Sequence, residues 1–191
     1  MSATRRALPF SAPAFGCLCA CSLAGCRSGG LQPSPPPGAT IASIAVTSKS
    51  FASSASIPVD NTCDGADRSP QVTWSAPPAG TKSLAIEMDD PDAPGGDFTH
   101  WIVFNIRPDA LSVAEASDLA DTGAVLGMNG FNRVAYSGPC PPKMELHRYF
   151  LRVFALDTLL STKPGSNRDA IDGAMSGHVL AEGALMGTFS R

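Results

Sequence analysis

The chain has 191 residues, with 14 basic and 17 acidic side chains and a formal net charge of −3. This acidic balance, with no basic stripe anywhere in the chain, argues against nucleic acid as a partner. The length allows one domain with a substantial hydrophobic core once any targeting segment is set aside.

The amino-terminal segment, residues 1–25, is typical of a secretory signal. Arg5 and Arg6 precede an uncharged apolar stretch that is interrupted by prolines, which fits a signal better than a membrane span. The stretch ends in Leu-Ala-Gly-Cys, which resembles a bacterial lipobox in which Cys26 is lipidated and becomes the first mature residue. The alternative is an unmodified signal peptide that is cleaved near Ala24.

Removal of this signal changes the expected charge and location of the protein. The mature chain would keep 12 basic against 17 acidic residues. Lipid chains on Cys26 would hold a domain at a membrane. We therefore expect an exported protein that is lipid-anchored to the bacterial cell envelope, with its domain in the periplasm or outside the cell. Residues 26–40 comprise the lipidated cysteine and a tether rich in Pro, Ser and Gly, and residues 41–191 form one folded domain.

Cysteine usage agrees with export. Of the six cysteines, three leave with the predicted signal and Cys26 is the predicted anchor. Cys63 and Cys140 remain as an even pair in an oxidising compartment, and we predict one disulfide between them. Two buried free thiols are the alternative.

Strand patterns dominate residues 41–191. Alternation of apolar and polar residues predicts strands over 41–46 and 84–88. Residues 101–106 are apolar apart from Asn105, which is typical of a strand that is covered on both faces. Residues 148–156 are rich in aromatic and β-branched side chains. Proline and glycine in nearly every connection favour a sandwich.

One α-helix is predicted near the carboxyl terminus. Ser166 and Asp169 resemble the two ends of a capping box, and Gly177 is typical of a helix end. A final strand is predicted over 184–189, whereas segment 112–121 is compatible with a short helix or a loop. The predicted fold class is therefore all-β with a small carboxyl-terminal helix.

The first of two unusual segments places a stiff acidic loop before an apolar strand. Asp90 and Pro91 begin it, and prolines on either side of Asp92 restrict its backbone. His100 then enters the strand near its start. Strict alternation places His100 on the same face as Ile102.

The second segment repeats this arrangement. Pro141 and Pro142 stiffen a loop, and His147 and Tyr149 open the next strand on a common face. Two histidines, a tyrosine, prolines and backbone amides would form a pocket suited to a small anion, especially a phosphoryl group.

The carboxylates of the first segment raise an electrostatic objection, because Asp90 and Asp92 should repel an anion. We expect a carboxylate to orient or charge a histidine, with His100 as the expected partner, or to accept hydrogen bonds from loop amides. The alternative is that a carboxylate binds a cationic part of the ligand.

Taken together, these motifs resemble the phosphatidylethanolamine-binding protein family, also called Raf kinase inhibitor-like. The resemblance rests on Asp-Pro-Asp-Ala-Pro, the histidine before the apolar strand, Gly-Pro-x-Pro-Pro and His-Arg-Tyr, and it covers nearly all of 41–191. It implies a large antiparallel sheet packed on a smaller one, and an anion pocket that the Cys63 and Cys140 loops both border. The implied ligand-binding residues are Asp90, Pro91, Asp92, His100, Pro141, Pro142, His147 and Tyr149.

The resemblance favours a non-enzymatic domain that binds an anionic small molecule or a phospholipid head group near the membrane. An alternative is a protein-interaction module or a protease inhibitor of the cell envelope, with an unknown protein partner. A third hypothesis, catalysis, lacks support from a Gly-x-Ser-x-Gly elbow, a His-Glu-x-x-His helix or a phosphate-binding glycine loop. No residues have metal-ligand spacing, so neither a metal nor a cofactor is predicted.

Overall fold

The structure is a computed structural model that describes residues 40–191. The predicted signal, the predicted lipidation at Cys26 and the tether up to residue 39 lie outside the described residues. No helix in the described part is long and apolar enough to cross a membrane.

The strands of residues 40–191 are β1 (Ala42–Ser43), β2 (Val46–Thr47), β3 (Val72–Trp74), β4 (Ser83–Asp90), β5 (Phe98–Ile106), β6 (Ser112–Val113), β7 (Val125–Leu126), β8 (Leu146–Leu156) and β9 (Val179–Ser190), and the α-helix is α1 (Arg168–Met175).

The strands form two sheets, as the sequence predicts for a sandwich. The large sheet has the order β1-β9-β8-β4-β5-β7, and the small sheet has the order β2-β3-β6. Their strand pairings are antiparallel except for that of β1 with β9, at one edge of the large sheet. The predicted fold class is confirmed, with a large and mostly antiparallel sheet, a smaller sheet and one short helix near the carboxyl terminus.

Apolar side chains cover both faces of the large sheet. On the inner face, Met88 and Trp101 belong to one buried cluster with Trp74 of the small sheet. On the other side, which we call the helix face, Phe104 packs in a second cluster with Ile171 of α1. β5 is therefore covered from both sides, as its continuous apolar run predicts. Complete burial of one such large side chain contributes about 1.5–3 kcal/mol.

Two segments differ in detail from the sequence patterns. The alternating run 41–46 is divided between β1 and β2, which belong to different sheets. The chain passes from one sheet to the other near Ile44, whose amide donates to the carbonyl of Glu182 at 2.8 Å. Segment 112–121 begins as β6, continues as a loop and ends in a 3-10 turn over Ala120–Thr122.

The helix α1 is present, but its amino-terminal cap lies one residue later than predicted. The capping residue is Asn167 and not Ser166, and its side-chain oxygen accepts from the amide of Ala170 at 3.2 Å. Gly177 has a φ of +80°, a left-handed conformation that glycine adopts without steric cost. The predicted carboxyl-terminal end of the helix is confirmed.

An extra residue in β5 forms a bulge beside β4. Met88 lies opposite Trp101, and Asp89 lies opposite Thr99, so one step along β4 corresponds to two steps along β5. His100 is the residue between these two pairs. A bulge of this kind bends the strand locally and redirects a side chain.

The bulge decides which face of the large sheet carries His100. Alternation predicts that His100 lies with Ile102, which packs on the helix face. That prediction is wrong, because the ring of His100 contacts the ring of Tyr149, with 5.3 Å between centroids, and Tyr149 belongs to the inner-face cluster. The sequence contains no glycine or proline at this position that would have indicated a bulge.

A second irregularity in β5 lies at Asn105, which has a φ of +59°. Its side-chain Nδ2 donates to the carbonyl of Leu160 at 2.9 Å, and its Oδ1 accepts from the backbone amide of Leu160 at 2.8 Å. Asparagine adopts the left-handed conformation more readily than most residues. Asn105 therefore ties the sheet to the segment that follows β8, which is a structural role.

Candidate functional site

The predicted site residues converge because three neighbouring strands run antiparallel to one another. The carboxyl end of β4 lies beside the amino-terminal parts of β5 and β8. Asp90 ends β4, His100 lies near the start of β5, and His147 and Tyr149 lie near the start of β8. We call these four residues the histidine cluster. Each of the four is at least 97% buried.

Asp90 orients His147. Its Oδ2 lies 2.8 Å from Nδ1 of the imidazole, and only 4% of either side chain is exposed. A carboxylate accepts, so Nδ1 carries the proton and donates. The other ring nitrogen, Nε2, lies 3.3 Å from Oε2 of Glu145. Burial alone would lower the pKa of His147, but the two carboxylates together raise the pKa above its usual value.

His100 is held by the backbone and not by a carboxylate. Its Nδ1 donates to the carbonyl oxygen of Ser137 at 2.7 Å. Burial lowers the pKa of His100, and the hydrogen bond to Ser137 offsets only part of that effect. Neutral His100 therefore keeps a lone pair on Nε2. The pKa values of the two histidines are therefore shifted in opposite directions, which makes His147 the better donor and His100 a potential acceptor.

Tyr149 lies between the two histidines. Its ring meets the ring of His100 edge to face and stacks near that of His147, with 6.5 Å between the latter two centroids. The phenol oxygen is buried and makes no hydrogen bond of normal geometry among the described residues, although Asp90 and the backbone of Cys140 lie close enough to affect its pKa. Burial raises the pKa of Tyr149 far above its usual value, and the charge of Asp90 adds to this effect. The hydroxyl is therefore an unused donor inside the cluster.

Asp92 lies outside the histidine cluster and forms an ion pair with Arg148. The guanidinium donates from Nη2 to Oδ1 at 2.7 Å and from Nε to Oδ2 at 2.9 Å, and the amide of Arg148 also donates to Oδ2. These side-chain and backbone hydrogen bonds lower the pKa of Asp92 well below its usual range. The expectation that a carboxylate orients His100 is wrong, since Asp90 bonds His147. The expected loop-amide contact is present, because Asp90 Oδ1 accepts from the amide of Asp92 at 2.9 Å.

The predicted disulfide joins the two loops beside the cluster. Cys63 and Cys140 are bonded, with 5.5 Å between their Cα atoms, so this prediction is confirmed. A pocket of about 150 Å³ lies against the disulfide and is also lined by Ser137, the residue that holds His100. Of the implied prolines, Pro141 is buried, whereas Pro91 and Pro142 are exposed.

Three residues that the sequence reasoning missed complete the surroundings. Ser137 contributes a backbone carbonyl, for which side-chain identity gives no signal. Phe131 is half-exposed and meets the ring of His100 with 5.9 Å between centroids. Glu145 was detectable, because a residue two positions before His147 shares its face if the strand continues.

A second group of charged side chains lies on the helix face of the large sheet. Arg168 of α1 reaches Asp89 at 3.3 Å and Glu87 at 3.9 Å, and both carboxylates are at least 98% buried. The same guanidinium contacts Asp97 at 2.8 Å and Asp172 at 3.3 Å. We call these five residues the arginine cluster. Burial, followed by the charge of Asp172, raises the pKa of Glu87 to about 8.

No three His, Cys, Asp or Glu side chains among residues 40–191 are grouped so that they could hold a metal ion.

Comparison with known proteins gives a consistent result across most of the chain. A family model described as Phosphatidylethanolamine-binding protein matches residues 47–190. A UPF0098 protein of Methanothermobacter thermautotrophicus is 46% identical over 139 residues, which cover 71% of this chain and 91% of the relative. A UPF0098 protein of Aquifex aeolicus is 43% identical over 150 residues, which cover 76% of this chain and 88% of the relative.

Two crystal structures share the fold. A phosphatidylethanolamine-binding protein homologue from Chlamydia trachomatis has a TM-score of 0.73 and 35% identity, over 78% of this chain and 98% of its own. E. coli YbcL, described as a member of the mammalian PEBP family, has a TM-score of 0.73 and 30% identity, over 78% of this chain and 99% of its own. The similarity therefore extends through almost the whole of both known structures.

Proposed function

Because the chain belongs to the phosphatidylethanolamine-binding protein family, we propose that its domain binds a small phosphate-like anion, either free or as a phospholipid head group, without transforming it. The observation that carries this proposal is the hydroxyl of Tyr149, which is buried between two histidines without a hydrogen-bond partner in the described chain. A buried polar group left unpaired costs about 1–3 kcal/mol. An anion oxygen in the cluster would satisfy it.

The two histidines offer complementary groups to such an anion. The Nδ1 of His147 is committed to Asp90, so Nε2 is the ring nitrogen that can donate to an anionic oxygen. The Nδ1 of His100 is committed to Ser137, so its Nε2 can accept from a protonated phosphate oxygen. Donors on His147 and Tyr149 with an acceptor on His100 fit a singly protonated phosphate group.

The local charge is compatible with this ligand although the domain is acidic. Arg148 neutralises Asp92 through a bidentate ion pair. Asp90 is paired with His147, whose raised pKa favours the imidazolium. Asp90 and Asp92, which the sequence suggested would repel an anion, are therefore each matched by a cation.

Binding without catalysis is supported by the groups nearest to the histidines. The hydroxyl of Ser137 accepts from Asn129 at 3.0 Å, and its carbonyl is the group that faces His100. The thiol of Cys140 is consumed by the disulfide. Neither residue offers an activated nucleophile of the kind that covalent catalysis requires.

We further propose that the domain acts at the bacterial cell envelope, anchored through lipid on Cys26. The Cys63–Cys140 disulfide supports an oxidising location, and the Leu-Ala-Gly-Cys sequence supports lipidation. Mass spectrometry of the mature amino terminus tests this point. An unmodified first residue would contradict the lipid anchor.

The binding proposal is tested by following histidine ring resonances by NMR during addition of inorganic phosphate or of glycerophosphoethanolamine. We expect both probes to shift His100 and His147, and His147→Gln to weaken binding about tenfold through loss of a charged donor. His178→Gln is the matched control, because His178 is exposed and pairs with Asp157.

The two probes distinguish the possible sources of the anion. Tighter binding of glycerophosphoethanolamine indicates a head group, whereas equal or weaker binding indicates a free phosphate. The proposal would be contradicted if the resonances of both histidines stay unchanged with each of the two probes at millimolar concentration.

A further inference from the structure

One side chain already contacts His147 Nε2, the donor to which the ligand is proposed to bind. Glu145 Oε2 lies 3.3 Å from His147 Nε2. Since Asp90 holds Nδ1 of the same ring at 2.8 Å, both ring nitrogens of His147 face carboxylates. An anion that approaches Nε2 therefore meets a negative group at the position that one of its own oxygens would take.

Glu145 differs from Asp90 in how firmly it is held. Only 4% of the Asp90 side chain is exposed, but 55% of the Glu145 side chain is exposed. The carboxylate of Glu145 makes no other hydrogen bond or ion pair within the described chain. His147 is buried, but the carboxylate of Glu145 is largely solvated, so the pair contributes on the order of 1 kcal/mol and the carboxylate can leave at little cost.

The backbone of Glu145 would stay in place when its side chain moves. Its amide donates to the carbonyl of Pro142 at 3.2 Å, and the preceding amide of Met144 donates to the carbonyl of Arg191 at 2.7 Å. The loop is also joined to the body of the domain by the Cys140 disulfide. Rotation of one side chain therefore opens Nε2 without a rearrangement of the loop.

We propose that Glu145 is a built-in competitor that occupies His147 Nε2 in the ligand-free protein and that the bound anion displaces. This proposal rests on the proposed function, because it assigns a specificity-determining residue to the same site. Only an anion that binds the donors more strongly than a carboxylate does will displace Glu145. The site would therefore discriminate against weak monoanions such as acetate and in favour of phosphate groups.

The other charged and titratable groups around His147 do not substitute for Glu145 in this role. Asp90 is buried and fixed on Nδ1, and Asp92 is bound by Arg148. Tyr149 is neutral, since burial raises its pKa. Glu145 is thus the carboxylate near His147 that combines contact with Nε2 and freedom to move.

The experiment compares inorganic phosphate binding by wild type, Glu145→Gln and Glu145→Ala. We expect both variants to bind phosphate about fivefold more tightly than wild type, because a competing charge is gone. Glu182→Gln is the matched control, because it removes the same charge from an exposed position on β9, opposite Ser43 and Phe154. It should change the dissociation constant less than about twofold.

A second readout does not depend on the ligand. Because Glu145 helps to raise the pKa of His147, an NMR titration should give a lower His147 pKa in Glu145→Gln than in wild type or in Glu182→Gln. An unchanged His147 pKa would show that the contact does not form in solution and would overturn the proposal.

The outcomes separate this proposal from the proposed function. If wild type binds phosphate but Glu145→Gln binds no tighter than Glu182→Gln, the competitor role is overturned and anion binding stands. Weaker phosphate binding by the Glu145 variants than by wild type also overturns the competitor role. If wild type and every variant bind neither inorganic phosphate nor glycerophosphoethanolamine, the proposed function fails, and the competitor role fails with it.

Discussion

Asp89 and Asp90 are adjacent residues of β4, yet they belong to different kinds of charge cluster. Asp90 faces the inner side of the large sheet and pairs with a histidine. Asp89 faces the helix side and pairs with Arg152 at 2.9 Å and with Arg168. An arginine stays charged at any physiological pH, whereas a histidine gains or loses its charge in that range.

This difference separates a structural cluster from the proposed binding site. In the arginine cluster, the guanidinium of Arg168 sits between carboxylates from α1 and from the sheet, so the charges hold the helix in place. In the histidine cluster, His100 keeps a free ring nitrogen and Tyr149 keeps a free hydroxyl. Unpaired buried oxygens do not by themselves separate the two clusters, because Glu87 Oε1 and Asp89 Oδ1 also lack hydrogen-bond partners in the described chain. The difference is that the free groups of the histidine cluster can both accept and donate, whereas the cation of the arginine cluster can only donate.

The largest expected effect comes from removing the cation of the arginine cluster. Arg168→Met keeps an apolar stem but leaves Glu87 and Asp89 buried without their shared partner. We expect a loss of about 3 kcal/mol in the free energy of unfolding, measured with urea. Arg107→Met is the control, because Arg107 and Asp109 form an exposed pair. Equal stability of the two variants would contradict the structural role of the cluster.

A smaller effect is expected from the pH dependence of Glu87. Its pKa of about 8 in the folded protein exceeds the ordinary value of 4.5, so the folded state binds more protons between these values. Stability therefore falls as the pH rises through this window, by at most about 1.4 kcal/mol for each pH unit. Glu87→Gln should remove this loss and be more stable than wild type at about pH 8.

Urea unfolding across that pH range provides the measurement for Glu87. Glu182→Gln, an exposed substitution of the same kind, should keep the pH dependence of the wild type. A wild-type protein whose stability does not fall between those two pKa values would contradict a protonated, buried Glu87.

The smallest effect is expected at Asp90. The raised pKa of His147 contributes stability below the ordinary histidine value of 6.5, and this contribution is lost as the pH rises through the folded pKa. Asp90→Asn should therefore cost about 1 kcal/mol at acidic pH and less at alkaline pH. An NMR titration should also give a lower His147 pKa.

Asp157→Asn is the control for Asp90, because it removes the partner of the exposed His178. We expect its stability to change by less than about 0.5 kcal/mol at either pH. A His147 pKa that does not fall in Asp90→Asn would show that Asp90 does not charge the imidazole.

Much of the fold and part of the site could be predicted from the sequence. Residue type and spacing were enough to predict the apolar runs of β4, β5 and β8, the Cys63–Cys140 pairing and the family motifs. The face of His100 was predicted wrongly, because a bulge changes the register without a local marker. The cap of α1 was misplaced by one residue, because Ser166 and Asn167 are both good capping residues.

The amino-acid sequence by itself determined the class of fold and the two segments that carry the histidines, because periodicity and proline content act locally along the chain. It also determined the disulfide pair, because only two cysteines lie beyond the predicted signal and anchor. Only the tertiary structure decided which carboxylate meets which cation. Asp90 meets His147, Asp92 meets Arg148 and Asp89 meets Arg168 because strand register and helix docking bring together residues that are more than 50 positions apart. Hydrogen bonds at such separations depend on geometry that no local pattern encodes.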